Sequence, residues 1–223
     1  EMLAVSILAL YFLSSKLSRI RLRYKLLFLF LWTFALGTIW VISSQSAPNT
    51  DSQYIANSAS AFSKGNLTFL NDGVYFKQYP FQLGYVFFLE IVMRLVNSVS
   101  SPENPLYLEV MNAFFLAGIN AVIVMISHTV FKDKRITTAV MVMLALSAAP
   151  IISCSFIYGI FPGMFFAALA LYSELRYLID DKKVYGVISI LSITAAMLMK
   201  PNYLIWLIAT CIIAFVMMFK RKK

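Results

Sequence analysis

Apolar residues fall into eight runs along this chain, at positions 2–15, 26–44, 81–96, 106–130, 136–155, 160–178, 184–199 and 203–219, separated by short polar stretches. A bilayer span needs about 20 consecutive, predominantly apolar residues, and most of these runs approach that length. Between positions 45 and 80 the pattern changes abruptly to a stretch rich in Ser, Asn, Tyr and Gln. A loop of that size is uncommon unless it is functional or disordered. This one carries order signals. Asp51 stands where a helix N-cap is expected, Tyr54, Ile55, Ala59 and Phe62 recur at helical spacing, and Gly65 supplies a stop, which predicts a surface helix over 52–64. Asn71, Asp72 and Gly73 read as a turn, and Tyr79 and Pro80 as the opening of a second helix over 81–96.

Composition supports the membrane reading. With 61% apolar and 13% charged residues in 223, and a mean hydropathy of +0.79, the chain does not fit a water-soluble globule, in which about a quarter of residues are charged. The same figures exclude a disordered chain, a coiled coil and a repeat solenoid. Cys154 and Cys211 lie in apolar runs, without the spacing of a zinc site or a disulfide framework. The chain starts at Glu1 inside an apolar run, which reads as a piece of a longer protein without a cleavable signal peptide.

The net charge of +9 then fixes an orientation. Fifteen of the 19 basic residues sit in four clusters beside the apolar runs: Lys16 to Lys25, Lys132 to Arg135, Arg176 to Lys183, and Lys220 to Lys223. Such clusters mark the cytoplasmic side rather than a nucleic-acid partner. Three runs lie between Lys25 and Lys132, yet an even number of crossings is required if both ends are inside. The 81–96 run is the one that fails to span. It carries Glu90 and Arg94 four residues apart on one helical face, and reaches only about 24 Å at 1.5 Å per residue. Letting it span would export ten clustered basic residues. The expected fold is therefore an all-α polytopic membrane protein, a single membrane domain with seven transmembrane helices. An outer-face loop over 45–105 is expected to carry amphipathic helices, with a bacterial plasma membrane as the expected setting.

The order of features resembles that of the C-type (GT-C) integral-membrane glycosyltransferases, the superfamily of protein O-mannosyltransferases and aminoarabinose transferases. A crossing over 26–44 leads into Asn49, Thr50, Asp51, Ser52, Gln53 and Tyr54. Lys77, Gln78, Tyr79, Pro80, Phe81, Gln82, Leu83, Gly84 and Tyr85 open the second outer helix. A crossing over 106–135 ends in a basic turn, and Lys200, Pro201 and Asn202 follow near the outer end of a later one. The resemblance implies transfer of a sugar from a polyprenyl-phosphate donor to a glycan, lipid or protein acceptor in the cell envelope, on the outer face. It implies that Asp51 is the catalytic base or the anchor of a divalent cation, no other metal ligand being assigned. It implies Lys77, Lys200 and Arg94 as holders of the lipid phosphate, and Tyr54, Gln78, Tyr79, Gln82 and Tyr158 as the sugar and acceptor contacts. The pattern departs in one place. Many members carry a second acid in the next outer turn, and Ser153 to Gly163 contains none.

Two other classes compete. A transporter or lipid flippase would line a path with Glu109, Asn112, Asn120 and Lys200, although no inverted repeat is visible. A non-catalytic fragment or assembly subunit fits the short length and the missing acid. His128 falls near the inner end of its run and reads as an interfacial residue, and the methionine-rich runs read as packing.

Overall fold

A computed structural model describes residues 14–46, 48, 50–71, 74–99, 104 and 106–221, and these form helices and turns with no strand among them. In chain order the helices are α1 (Leu22–Ser44), α2 (Thr50–Ser63), α3 (Thr68–Asn71), α4 (Val74–Gln78), a 3-10 turn (Pro80–Gln82), α5 (Leu83–Asn97), α6 (Leu106–Phe131), α7 (Lys134–Leu146), α8 (Ala149–Ile152), a 3-10 turn (Ser153–Ser155), α9 (Ile160–Asp180), α10 (Lys183–Met199), a 3-10 turn (Pro201–Tyr203) and α11 (Leu204–Arg221).

Two of these helices are long and apolar enough to cross a bilayer: α1, with 23 residues, and α6, with 26. A third qualifies if α7 and the segment Ala149–Ser155 count as one span bent by 44°. That supports association with a membrane. The remaining expected crossings fall short for local reasons. The 136–155 run is broken where Ser147 takes an extended conformation and Pro150 enters at the start of α8, since proline cannot continue the preceding hydrogen-bond ladder. Helix α10 has only 17 residues. Helix α9 has 21, but Glu174, Arg176 and Asp180 fall in its second half. All but the end of the 2–15 run, and Asp72 and Gly73 of the expected turn, lie outside the described residues.

The most extensive packing joins α9 to α10, α1 to α6, and α6 to α9, so these four helices form one body. Against its end sits the 45–105 segment, whose helices α2 and α5 pack on each other. Helix α2 buries Ser52, Ile55, Ala56, Ala59 and Phe62, the three-and-four spacing of one helical face. Helix α5 answers with Tyr85, Val86, Leu89 and Met93. Leu108, Ile157 and Met199 complete the same core, tying the loop helices to α6, to the turn before α9 and to the end of α10. Fully burying a side chain such as Phe62 or Leu89 stabilises by about 1.5–3 kcal/mol relative to water, which makes this a structured unit rather than a loose loop.

Two boundaries differ from expectation. Helix α2 starts at Thr50, so Asp51 lies in its first turn instead of capping it, where a carboxylate still complements the helix dipole. The 81–96 helix begins as a 3-10 turn at Pro80 and becomes α-helical at Leu83, because proline fits only the first turn.

Candidate functional site

Three chain segments meet at Asp51. The first is the start of α2. The second is the turn between Ser155 and α9, which Asn112 of α6 holds in place by donating its amide to the carbonyls of Cys154 at 3.0 Å and Phe156 at 3.1 Å. Gly159 closes that turn at a φ of +72°, and an added Cβ there would stand 2.8 Å from the Met199 carbonyl. That close approach brings the third segment, the end of α10, alongside the turn.

Tyr158 projects from this turn and joins the other two segments. Its hydroxyl donates to Asp51 Oδ2 at 3.2 Å, longer than the 2.5–2.7 Å of the tightest bonds from a hydroxyl to a carboxylate. Lys200 Nζ stands 4.1 Å above the centroid of the Tyr158 ring, within cation–π range. Neither Asp51 nor Lys200 takes part in an ion pair among the described residues. Burial lowers the pKa of the Lys200 ammonium, and burial followed by the Asp51 charge raises that of the Tyr158 hydroxyl.

The cluster extends into the 45–105 segment. The Tyr75 hydroxyl faces Asp51; burial first, and then the carboxylate charge, push its ionisation well above the usual phenol range. It is buried and has no hydrogen-bond partner at ordinary geometry. The Tyr75 ring lies 4.4 Å from that of Tyr54 and 5.2 Å from that of Tyr79, so three tyrosines form one aromatic wall. Gln82 is 1% exposed, lies beside the Tyr158 hydroxyl, and leaves its amide Nε2 without a partner at ordinary geometry. A buried donor and a buried hydroxyl without a well-formed bond are costly, and both face the place where Asp51 and Tyr158 meet, Tyr75 within weak reach of Asp51 and Gln82 of Tyr158.

Of the residues predicted for the site, Asp51, Lys200, Tyr54, Tyr79, Gln82 and Tyr158 are brought together. Lys77 and Gln78 are exposed and stand outside the contacts that join the cluster. Arg94 is engaged elsewhere: its guanidinium pairs with Glu90 at 2.8 Å and donates to the Phe62 carbonyl at 3.1 Å, tying α5 to α2. Tyr75 was not among the predicted residues. Nothing in its spacing links it to Asp51, because the link is made by the reversal of the chain between α2 and α4.

Among the described residues no group of three His, Cys, Asp or Glu gathers to hold a metal ion. Asp51 is the one carboxylate of the cluster among the described residues, so a divalent cation there would draw its remaining oxygen ligands from a phosphate and water rather than from protein side chains. The surrounding groups suit a polar, uncharged ring and an anion: three tyrosine faces, an amide donor and an ammonium.

Next to the cluster, between α6, α7, α8 and α9, lies an apolar cavity of about 480 Å³ whose lining includes Leu116, Ile123, Leu144, Phe156, Phe161 and Met164. The Phe156 ring is 5.3 Å from that of Tyr158, so this cavity borders the polar site directly. No family model, curated protein or solved structure matches the chain.

Proposed function

We propose that this protein is a membrane glycosyltransferase that moves a sugar from a polyprenyl-phosphate donor to an acceptor hydroxyl at the outer face of the membrane. The observation that carries the reading is the Asp51, Tyr158 and Lys200 arrangement, a carboxylate and an ammonium held near each other by one tyrosine without pairing. In this reading the acceptor O–H gives its proton to Asp51 and its oxygen bonds to the anomeric carbon. The bond from that carbon to the lipid phosphate breaks, the electron pair leaves with the phosphate, and Lys200 balances the charge. Gln82 and the hydroxyls of Tyr75 and Tyr79 orient the sugar, with the tyrosine faces stacked against it. The apolar cavity beside Phe156 suits the first isoprene units of the donor. Seven crossings with the 45–105 segment outside remain part of this proposal.

Two of the α6 residues that a transport path would use are committed to packing, while the third, Glu109, is 2% exposed with its Oε2 unpartnered. Asn112 is spent on two backbone carbonyls, and Asn120 donates to Thr33 Oγ1 at 3.1 Å, so both serve packing between segments. The test is transfer of labelled sugar by the purified protein from a panel of polyprenyl-phosphate donors. Dependence on Asp51 supports the reading, and transfer unaffected by Asp51→Asn contradicts it.

A further inference from the structure

A second cavity, of about 230 Å³, lies between α9, α10 and α11 and includes none of the residues around Asp51. Glu174 of α9 lines it, together with Ser189 of α10 and Thr210 of α11. Glu174 is 6% exposed, and its Oε2 is buried without a hydrogen-bond partner. Tyr177, which also lines the cavity, does not donate to this oxygen, and the two aliphatic hydroxyls cannot. Ser189 donates its single proton to the Ala170 carbonyl at 3.0 Å, and Thr210 donates its own to the Leu207 carbonyl at 2.8 Å, which leaves only lone pairs. No Lys, Arg or His lines the space.

The cavity thus presents an acid and two acceptors from three helices, with no counter-charge of its own. A buried carboxylate in that situation is strongly disfavoured, and it either takes up a proton or is joined by a cation or a donor. We propose that the cavity binds a primary ammonium group on a short alkyl arm. Glu174 is the counter-ion, and Ser189 and Thr210 accept the two further N–H bonds that such a group offers. Ile190, Ile193 and Leu207 form the apolar walls for the arm. The ammonium belongs either to an aminoethyl phospholipid headgroup or to a soluble alkylamine.

Cys211 supplies the readout, since it borders the cavity and its thiol is exposed, whereas Cys154 is buried. The full chain is reconstituted in vesicles of phosphatidylcholine alone or mixed with phosphatidylethanolamine, and the alkylation rate of Cys211 by N-ethylmaleimide is followed by peptide mass spectrometry. Phosphatidylcholine is the control because its quaternary ammonium has no N–H. Protection of threefold or more by phosphatidylethanolamine assigns the site to the lipid. Protection only by millimolar butylammonium, added to the phosphatidylcholine vesicles, assigns it to a soluble amine. In either case Glu174→Gln abolishes the protection. Should that variant fail to fold, Thr210→Val, which removes one acceptor and keeps the shape, carries the test and weakens protection. Equal rates under all three conditions, or protection that survives both substitutions, overturn the proposal.

Discussion

Tyr158 donates its hydroxyl to Asp51 Oδ2 at 3.2 Å, across 107 residues of chain, while its ring carries the Lys200 ammonium 4.1 Å from the centroid. One side chain thereby links a carboxylate to an ammonium that it does not pair with. In a direct ion pair each charge would be spent on the other. Held as they are, the acid is free to take a proton and the lysine to meet an anion.

The two halves of Tyr158 can be separated by substitution. Tyr158→Phe keeps the ring under Lys200 and removes the bond to Asp51. Hydrogen bonds to charged groups contribute about 1.5–3 kcal/mol, so turnover should fall by about tenfold or more with little change in the KM for donor. Tyr158→Ala removes the platform as well, and the KM for donor should then rise. Steady-state kinetics of the two variants distinguish these roles; equal kinetic effects would argue that the ring does nothing for Lys200.

The Lys200 charge sets an alkaline limit. Its ordinary pKa of 10.5 is lowered by burial, so the ammonium loses its proton at a lower pH than an exposed lysine would. Donor binding that depends on this charge should weaken as pH rises, beginning below 10.5. Arginine stays charged throughout that range, and Lys200→Arg should move the limb upward. The KM for donor measured against pH in both proteins checks this, and an unmoved limb would assign the titration to another group.

Much of this arrangement was legible in the sequence. The helices over 52–64 and 81–96 were visible because each buries one face at helical spacing, and Asp51 stood out as the acid at the start of the first. Lys200 stood out because a lysine between two apolar segments is costly. Tyr75 did not, since its approach to Asp51 depends on a chain reversal that no local pattern encodes. Arg94 stands apart from the cluster for a physical reason: the Glu90 spacing that marks its helix as amphipathic also engages its guanidinium. The 136–155 run looked continuous because hydropathy does not register the break at Ser147 and Pro150.

Arg94→Met should therefore leave the KM for donor unchanged. Its pair with Glu90 is half exposed, and such pairs are worth about 1 kcal/mol or less, so a small loss of thermal stability is expected through the lost tie to the Phe62 carbonyl. Thermal unfolding and donor kinetics on the same preparation check both parts. A large rise in KM would return Arg94 to the phosphate site.

Gly84 tests the seating of α5 on the end of α10. A Cβ at this position would stand 2.1 Å from the Leu198 carbonyl oxygen, and backbone cannot rotate away as a side chain can. Gly84→Ala should destabilise by about 1–3 kcal/mol, the usual cost of overpacking, and should lower activity by shifting Gln82 relative to Tyr158. Thermal unfolding gives the first effect and transfer rate the second. A variant as stable as the parent would mean that α5 does not approach α10 this closely.

The most direct measurement is sugar transfer from polyprenyl-phosphate donors by the purified parent and by Asp51→Asn, with thermal unfolding run on both. Asparagine keeps an oxygen for the Tyr158 hydroxyl and removes the base, so the fold should be retained while transfer falls to background. Transfer that continues at the parent's rate in Asp51→Asn, or its absence from every donor in the folded parent, would contradict the assignment of Asp51 as the base of a lipid-phosphate-sugar transferase.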